Sequence, residues 1–198
     1  SVMSGEAARM FASPGPIYEL ESRRPDHWRL ARSLFAAGFR AGDLVHNTFS
    51  YHFTPAGSML ETGAHALGCT VVAAGTGQTE QQVQAIAELA PDGYVGTPSF
   101  LKIILDKADE QGIRLPSLRK ALVSGEAFPP SLRDALGARG IAAYQVPLSA
   151  DQMKALYKNK KDYETKVEQK TNALIKDGWI SPAYKDLILA DAAKVEFR

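Results

Sequence analysis

Between Asp26 and Tyr144 the sequence repeats one local pattern: a short run of apolar and β-branched residues, a turn, and a segment with apolar residues at helical spacing, with glycine or proline marking most of the junctions. A chain built this way has few folds open to it. Parallel strands need a crossover of a dozen or more residues between them, usually a helix, so the alternation predicts an α/β fold with a mostly parallel sheet flanked by helices. Asp26 reads as the cap of a first helix that carries Trp28, Ala31, Leu34 and Phe35 at helical spacing and ends at Gly38. A strand follows from Leu44 to Phe49. Thr54 and Pro55 supply an N-cap and a first-turn proline for a helix with Leu60, Ala64 and Leu67, which stops at Gly68. Cys69 to Val72 is the next strand. Thr79 reads as the cap of a helix with Val83, Ile86, Ala87 and Leu89, and Gly93 to Gly96 as a short strand. Thr97 and Pro98 open a helix with Leu101, Ile104, Leu105 and Ala108 on one face and Gly112 at its end. Leu118 to Val123 is a fourth strand, Pro129 and Pro130 open a helix through Leu136, and Ile141 to Tyr144 completes five strands.

Near Gln145 the composition changes. Residues 1–145 carry ten Arg, three Lys and fifteen of the sixteen Gly, whereas residues 146–198 carry nine Lys, one Arg and one Gly. Two domains are therefore expected: an α/β domain over 1–145 and a small all-α appendage of three helices over 146–198. Ser149 caps the first tail helix, with Met153, Leu156 and Tyr157. Asp162 starts the second, with Val167, Thr171, Leu174 and Ile175, closed by Gly178. Ser181 and Pro182 start the third, with Leu187, Ile188, Ala190 and Ala193. About fifty residues in three helices bury little by themselves, so the tail is expected to pack on the front domain or on a second copy, giving a homo-oligomer. Its spacing resembles the helical tails that close some α/β-hydrolase-domain proteins.

The bulk numbers exclude several partners. With 23 basic and 22 acidic residues the net charge is +1, which offers no electrostatic footprint for nucleic acid or an anionic membrane. One cysteine, Cys69, excludes an internal disulfide framework and fits a reducing cytoplasm. No apolar run approaches the roughly 20 residues of a membrane span, so a soluble, unsecreted, cytoplasmic protein is expected. The start at Ser1 rather than Met fits an excised piece of a longer protein.

In open α/β sheets ligands bind beyond the carboxyl ends of the strands, which directs attention to the loops 50–54, 74–79, 96–99 and 124–128 and to whatever follows Tyr144. Tyr51, His52 and Phe53 follow a strand and could line a pocket, or equally belong to the core. Gly75-Thr76-Gly77-Gln78 lacks the Lys and the glycine spacing of a phosphate loop and reads as a turn. Cys69 reads as a small buried residue. The histidines at 27, 46, 52 and 65 show no metal-ligand spacing, and no serine sits in a nucleophile elbow, so no metal site of protein ligands and no catalytic residue is assigned.

Five strings at these loops, Ser50-Tyr51-His52-Phe53-Thr54, Leu67-Gly68-Cys69-Thr70-Val71, Gly77-Gln78-Thr79-Glu80, Thr97-Pro98-Ser99 and Ser124-Gly125-Glu126, stand in one order with one spacing. In that order and spacing the chain resembles a segment of the phenylacetate–coenzyme A ligases, an adenylate-forming, AMP-binding family, over roughly residues 10–145. The resemblance implies a parent that activates a carboxylic acid with ATP and magnesium to an acyl-adenylate and passes the acyl group to coenzyme A. It implies a nucleotide site at Ser124, Gly125, Glu126 and Ala127 with Tyr144 and Gln145, and an acid-substrate site at Tyr51, His52, Phe53, Thr97 and Pro98. A plain strand-to-helix turn would account for Ser124-Gly125-Glu126 as well.

The pattern also departs from the family. The stretch matching its phosphate loop is Ala12-Ser13-Pro14-Gly15-Pro16-Ile17, where two prolines remove two N–H donors and neither Lys nor Thr follows. The family's adenine-stacking aromatic and metal-side acid fall on Pro147 and Asp151, and its ribose aspartate and mobile-domain lysine lie beyond the resemblance. Lys154 and Lys176 sit in amphipathic tail sequence and are not given that role. The expectation is a fragment or remnant of an ATP-dependent acid–coenzyme A ligase that binds nucleotide and carboxylic acid without turning over alone. The alternative is a non-catalytic interaction module in a fused, recombined or engineered chain.

Overall fold

The computed structural model describes residues 7–13, 17–145, 157–176, 182 and 185–195. The chain divides into two compact units, Ser1–Val146 and Pro147–Arg198.

In the first unit, β1 (Ala7–Ser13) and β2 (Ile17–Ser22) form an antiparallel hairpin with Met10 opposite Leu20 and Phe11 opposite Glu19. There follow α1 (Ala31–Ala36), β3 (Leu44–Asn47), α2 (Ala56–Leu67), β4 (Thr70–Ala73), α3 (Thr79–Leu89), β5 (Gly93–Gly96), α4 (Pro98–Glu110), β6 (Lys120–Val123), α5 (Pro130–Ala138) and β7 (Ala142–Gln145). Strands β3 to β7 make a five-stranded, fully parallel sheet in the order β4-β3-β5-β6-β7. Side chains alternate across it. Tyr94, Ala121 and Val123 face one core with Val83, Ile86, Leu101, Ile104 and Leu136, while Val45, Val95 and Leu122 face another with Leu34, Phe39, Leu60 and Ala64. Helices α1 and α2 thus cover one face and α3, α4 and α5 the other, and the α/β architecture read from the alternation is the one observed.

Several local signals hold at residue level. Thr97 is extended, its side chain accepts from the Phe100 amide, and Pro98 occupies the first turn. Gly68 ends α2 in the left-handed conformation that spares a Cβ clash. Others differ. Helix α1 starts at Ala31, not beside Asp26, because Asp26 and Arg29 have φ of +47° and +61° and break the first turn. The Asp26 carboxylate still accepts from the Ala31 amide, at 3.1 Å. Pro55, not Thr54, precedes α2, and Gln78, not Thr79, precedes α3; neither helix has a side-chain cap bond.

The hairpin is the element the sequence pattern did not announce. Its anchor is polar: Arg9 Nη1 donates to Glu21 Oε1 at 3.0 Å and to Ser58 Oγ at 2.7 Å, while Ser58 Oγ and Trp28 Nε1 donate to Glu21 Oε2 at 2.6 and 3.2 Å. Glu21 is buried with both oxygens engaged, so its charge is compensated where it is desolvated. Residues 14–16 of the stretch compared with a phosphate loop lie outside the described residues.

In the second unit, α6 (Lys160–Lys176) and α7 (Lys185–Ala193) are helical. Asn159 Oδ1 accepts from the Asp162 amide and the Asp162 carboxylate from the Lys158 amide, so the start of α6 is capped by both residues. Lys160 Nζ donates to Ala193 O at 2.7 Å, and Lys185 lies 3.3 Å from Glu168. The helix expected from Ser149, with Pro147, Asp151 and Lys154, and the start expected at Ser181 lie outside the described residues.

Candidate functional site

The strand order places a topological switch between β3 and β5: the chain leaves β3 for β4 on one side and returns to β5 on the other. Beyond the carboxyl ends of two such strands a crevice opens, because their connections depart in opposite directions. Thr48, Gly96 and Thr97 stand there, with the 124–128 turn next to them at the end of β6.

Three segments of the expected site converge at this edge. The Ser99 amide donates to Glu126 Oε1 at 2.6 Å, and Gln145 Nε2 donates to Glu126 O at 2.7 Å. Gly125 has φ of +86°, and a Cβ there would meet Thr97 Cγ2 at 3.5 Å and Phe49 Cε1 at 3.6 Å. Residues 97–99, 124–126 and 145 therefore form one rim, with Phe49 behind it. Glu126 and Ala127 are exposed, Ser124 and Thr97 half-buried and Pro98 buried.

The remaining expected residues are placed otherwise. The Tyr51 hydroxyl takes a hydrogen bond from Asn47 Nδ2 at 2.8 Å, and its ring leaves no room for a Cβ on Gly57 of α2. Burial and the neighbouring Glu61 push its phenol pKa up. The His52 and Phe53 rings lie against each other at a tilt of 52°, centroids 4.8 Å apart; Phe53 is exposed with φ of +62°, and its carbonyl accepts from the Ala12 amide of β1. These three residues share a loop, and no hydrogen bond or ring contact among the described residues joins them to the 97–126 rim. Tyr144 is exposed on the edge strand β7.

The turn at 74–78 is held from beneath. Gln82 Nε2 donates to Gly75 O at 3.0 Å and Gly77 O at 3.1 Å, which turns Gln82 Oε1 toward His46, 2.6 Å from its Nε2. His46 Nε2 is therefore the protonated nitrogen, and Nδ1 is buried with no hydrogen-bond partner among the described residues. Burial lowers the His46 pKa, with the Gln82 bond opposing. Metal-ligand spacing among the histidines gives no hint of this role; a polar residue inside a four-residue buried strand was the available signal. No group of three or more His, Cys, Asp or Glu among the described residues could hold a metal. A groove of about 300 Å³ lies against the hairpin and α2, lined by Glu21, Arg23, Asp26 and His65 among others, and includes none of the strand-end residues.

The parallel sheet with helices on both faces and a switch point between β3 and β5 sets the class as an open α/β fold, and similarity to known proteins supplies the family. The model for the AMP-binding enzymes matches residues 26–146, well over half the chain, and the chain belongs to that family. A second model, described as an alpha/beta hydrolase domain, matches residues 103–190. The phenylacetate-coenzyme A ligase of Aromatoleum evansii is 39% identical over 126 residues, 61% of this chain and 29% of that protein. The Pseudomonas putida enzyme of the same name is 38% identical over 120 residues, 59% and 27% of the two chains. The chain thus spans less than a third of the length of these curated relatives. Among solved structures, an open conformation of 2-hydroxyisobutyryl-CoA ligase in complex with 2-HIB-AMP and CoA superimposes with a TM-score of 0.66 over 75% of this chain and 37% of that one, at 23% identity. The N-terminal domain of FACL13 from Mycobacterium tuberculosis gives 0.56 over 72% and 36%, at 16% identity. At these identities the likeness is one of fold.

Proposed function

We propose that this chain is a nucleotide-binding portion of an adenylate-forming acid–coenzyme A ligase, taking ATP or AMP along the Ser124–Ala127 turn with Tyr144 and Gln145 beside it. The observation that carries the reading is the Glu126 rim: an exposed carboxylate on a glycine turn, at the carboxyl edge next to the switch point, tied to Ser99 and Gln145. The turn fits a flat, neutral ring better than a phosphate, since its one charged group is an anion and its glycine leaves the backbone open to close approach. Thr97 and Pro98 on the same rim, with Tyr51, His52 and Phe53 on the neighbouring loop, are the proposed carboxylic-acid side. With no metal-holding cluster among the described residues, magnesium would arrive with the nucleotide phosphates.

The proposed domains are 1–145 for nucleotide and 146–198 as a helical appendage through which two copies could associate, and the proposed compartment is the cytoplasm, with coenzyme A as co-substrate of the parent enzyme. Turnover by this chain alone is not expected, because the relatives carry more than three times the matched length. The alternative of a non-catalytic fused module is favoured by the composition change near residue 145 and by the alpha/beta hydrolase match that reaches across it.

Calorimetric titration with ATP and magnesium tests the reading. Binding of micromolar order is expected, weakened at least tenfold in Glu126→Ala with the circular dichroism unchanged, and without acid-dependent pyrophosphate exchange. No heat up to millimolar ATP from folded protein would overturn it.

A further inference from the structure

Beneath the rim, at the switch point itself, lies a pair of buried hydroxyls that the site as described does not use. Thr48 Oγ1 donates to the Tyr94 hydroxyl at 2.8 Å, with Val95 O a second acceptor at 3.2 Å, and the Tyr94 hydroxyl donates to Thr97 O at 3.0 Å. Both residues are buried, Tyr94 completely. The space they occupy exists because residue 96 is glycine: a Cβ there would fall 2.0 Å from Thr48 Oγ1 and 2.2 Å from the Tyr94 hydroxyl. Burial raises the Tyr94 pKa, with the Thr48 bond opposing and the charge of Glu126 adding to it, so the phenol stays protonated and keeps its donor. From Thr97 the thread continues outward. The Thr97 hydroxyl accepts from Phe100 N, and Ser99, between them, gives its amide to Glu126. Hydrogen bonds joined through the backbone of residues 97–99 thus link the end of β3 and β5 to the turn after β6.

We propose that Tyr94 is a positioning residue for the nucleotide site, its hydroxyl adding a second donor to the Thr97 carbonyl, which also accepts from the Leu101 amide at 3.2 Å, and so fixing the turn in which the Ser99 amide and the Glu126 carboxylate meet. The proposal rests on the reading of the 124–128 turn as that site. Tyrosine suits this position because its ring belongs to the core with Val83, Ile86 and Leu101, while its tip reaches the strand end as both acceptor and donor. Leucine or phenylalanine would fill the core and leave the Thr97 carbonyl with the Leu101 amide as its remaining donor.

The decisive variant is Tyr94→Phe in the full chain, read by amide hydrogen exchange and ATP titration. Loss of one hydrogen bond from the thread should speed exchange at the Ser99 amide about tenfold and weaken ATP by a similar factor. The Leu44 amide, bonded to Asp92 Oδ2 at the opposite end of the sheet, should keep its rate. Thr48→Val removes the donor to Tyr94 and should move Ser99 in the same direction, which keeps the experiment decisive if Tyr94→Phe does not fold. Unchanged Ser99 exchange overturns the proposal, and so does equal acceleration at Ser99 and Leu44, which would mark general loosening. ATP binding unaffected while Ser99 exchange rises overturns the link to nucleotide. Absence of binding to the parent chain overturns the nucleotide reading itself, and the Ser99 rates then still decide whether Tyr94 sets the turn.

Discussion

The two ends of the parallel sheet carry similar polar groups and treat them in opposite ways. At the amino end, Asp43 Oδ2 receives Lys120 Nζ and the Arg40 amide, each at 2.6 Å, and Asp92 Oδ2 receives the Leu44 amide at 2.9 Å. Lys120 also lies over the Phe39 ring and reaches Gly38 O. At the carboxyl end Glu126 takes one amide, from Ser99, and remains exposed. The amino end closes its carboxylates against partners from other strands and loops, which ties the elements together. The carboxyl end leaves a charge and a glycine turn facing water, a poor use of either for stability and a suitable one for a ligand.

Strand β5 offers the largest test of this contrast, since glycine stands at both of its ends. A Cβ on Gly93 would fall 2.6 Å from the Phe39 ring and 2.8 Å from Lys120 Cγ; one on Gly96 would strike the Thr48 and Tyr94 hydroxyls. Either alanine overpacks a buried site, at roughly 2–3 kcal/mol in urea denaturation. Only Gly96→Ala should also weaken ATP, because only there does the displaced group belong to the thread that leads to Glu126. Equal ATP affinity in both variants would break the comparison.

A smaller effect is expected from the amino-end ion pair. Asp43 and Lys120 are each about four-fifths buried, with side-chain exposures of 17% and 20%. Asp43→Ala leaves Lys120 with Gly38 O and the Phe39 face, and should lower stability by about 1–2 kcal/mol without altering ATP binding. Glu126→Ala should do the reverse, with a stability change within about 0.5 kcal/mol, as for other exposed sites.

How legible this was in sequence follows the range of each interaction. Gly93 to Gly96, the Thr97 cap with Pro98 and the stop at Gly68 could be read because each is settled within a few residues. The hairpin could not. Its strands depend on Arg9, Glu21 and Ser58, and the last stands 37 residues from Glu21 along the chain. Asp26 was recognisable as a helix-start residue, but the positive φ at Asp26 and Arg29 that moved the helix to Ala31 leaves no pattern in the sequence. The strand-end loops were found from their position, whereas the Ser99 bond to Glu126 joins residues 27 apart and emerges only when β5 and β6 pair.

The smallest predicted effect concerns His46, which lies between the two ends and supports the 74–78 turn of the carboxyl edge through Gln82. Its pKa is lowered from the ordinary 6.5, mainly by burial, so the folded chain holds it neutral where the unfolded chain begins to take up a proton. The unfolded state then binds more protons below pH 6.5, and stability falls with pH from that point, while above it the histidine contributes no slope. A proton on Nδ1 would also have no acceptor among the described residues. Urea midpoints measured from pH 8 downward should be level and then decline, and His46→Gln, which does not titrate, should decline less. If loosening starts at the turn rather than throughout the sheet, acid should speed amide exchange at 75–78 before it affects Leu44, which would place the pH sensitivity at the carboxyl edge and leave the amino end as the rigid half of the sheet.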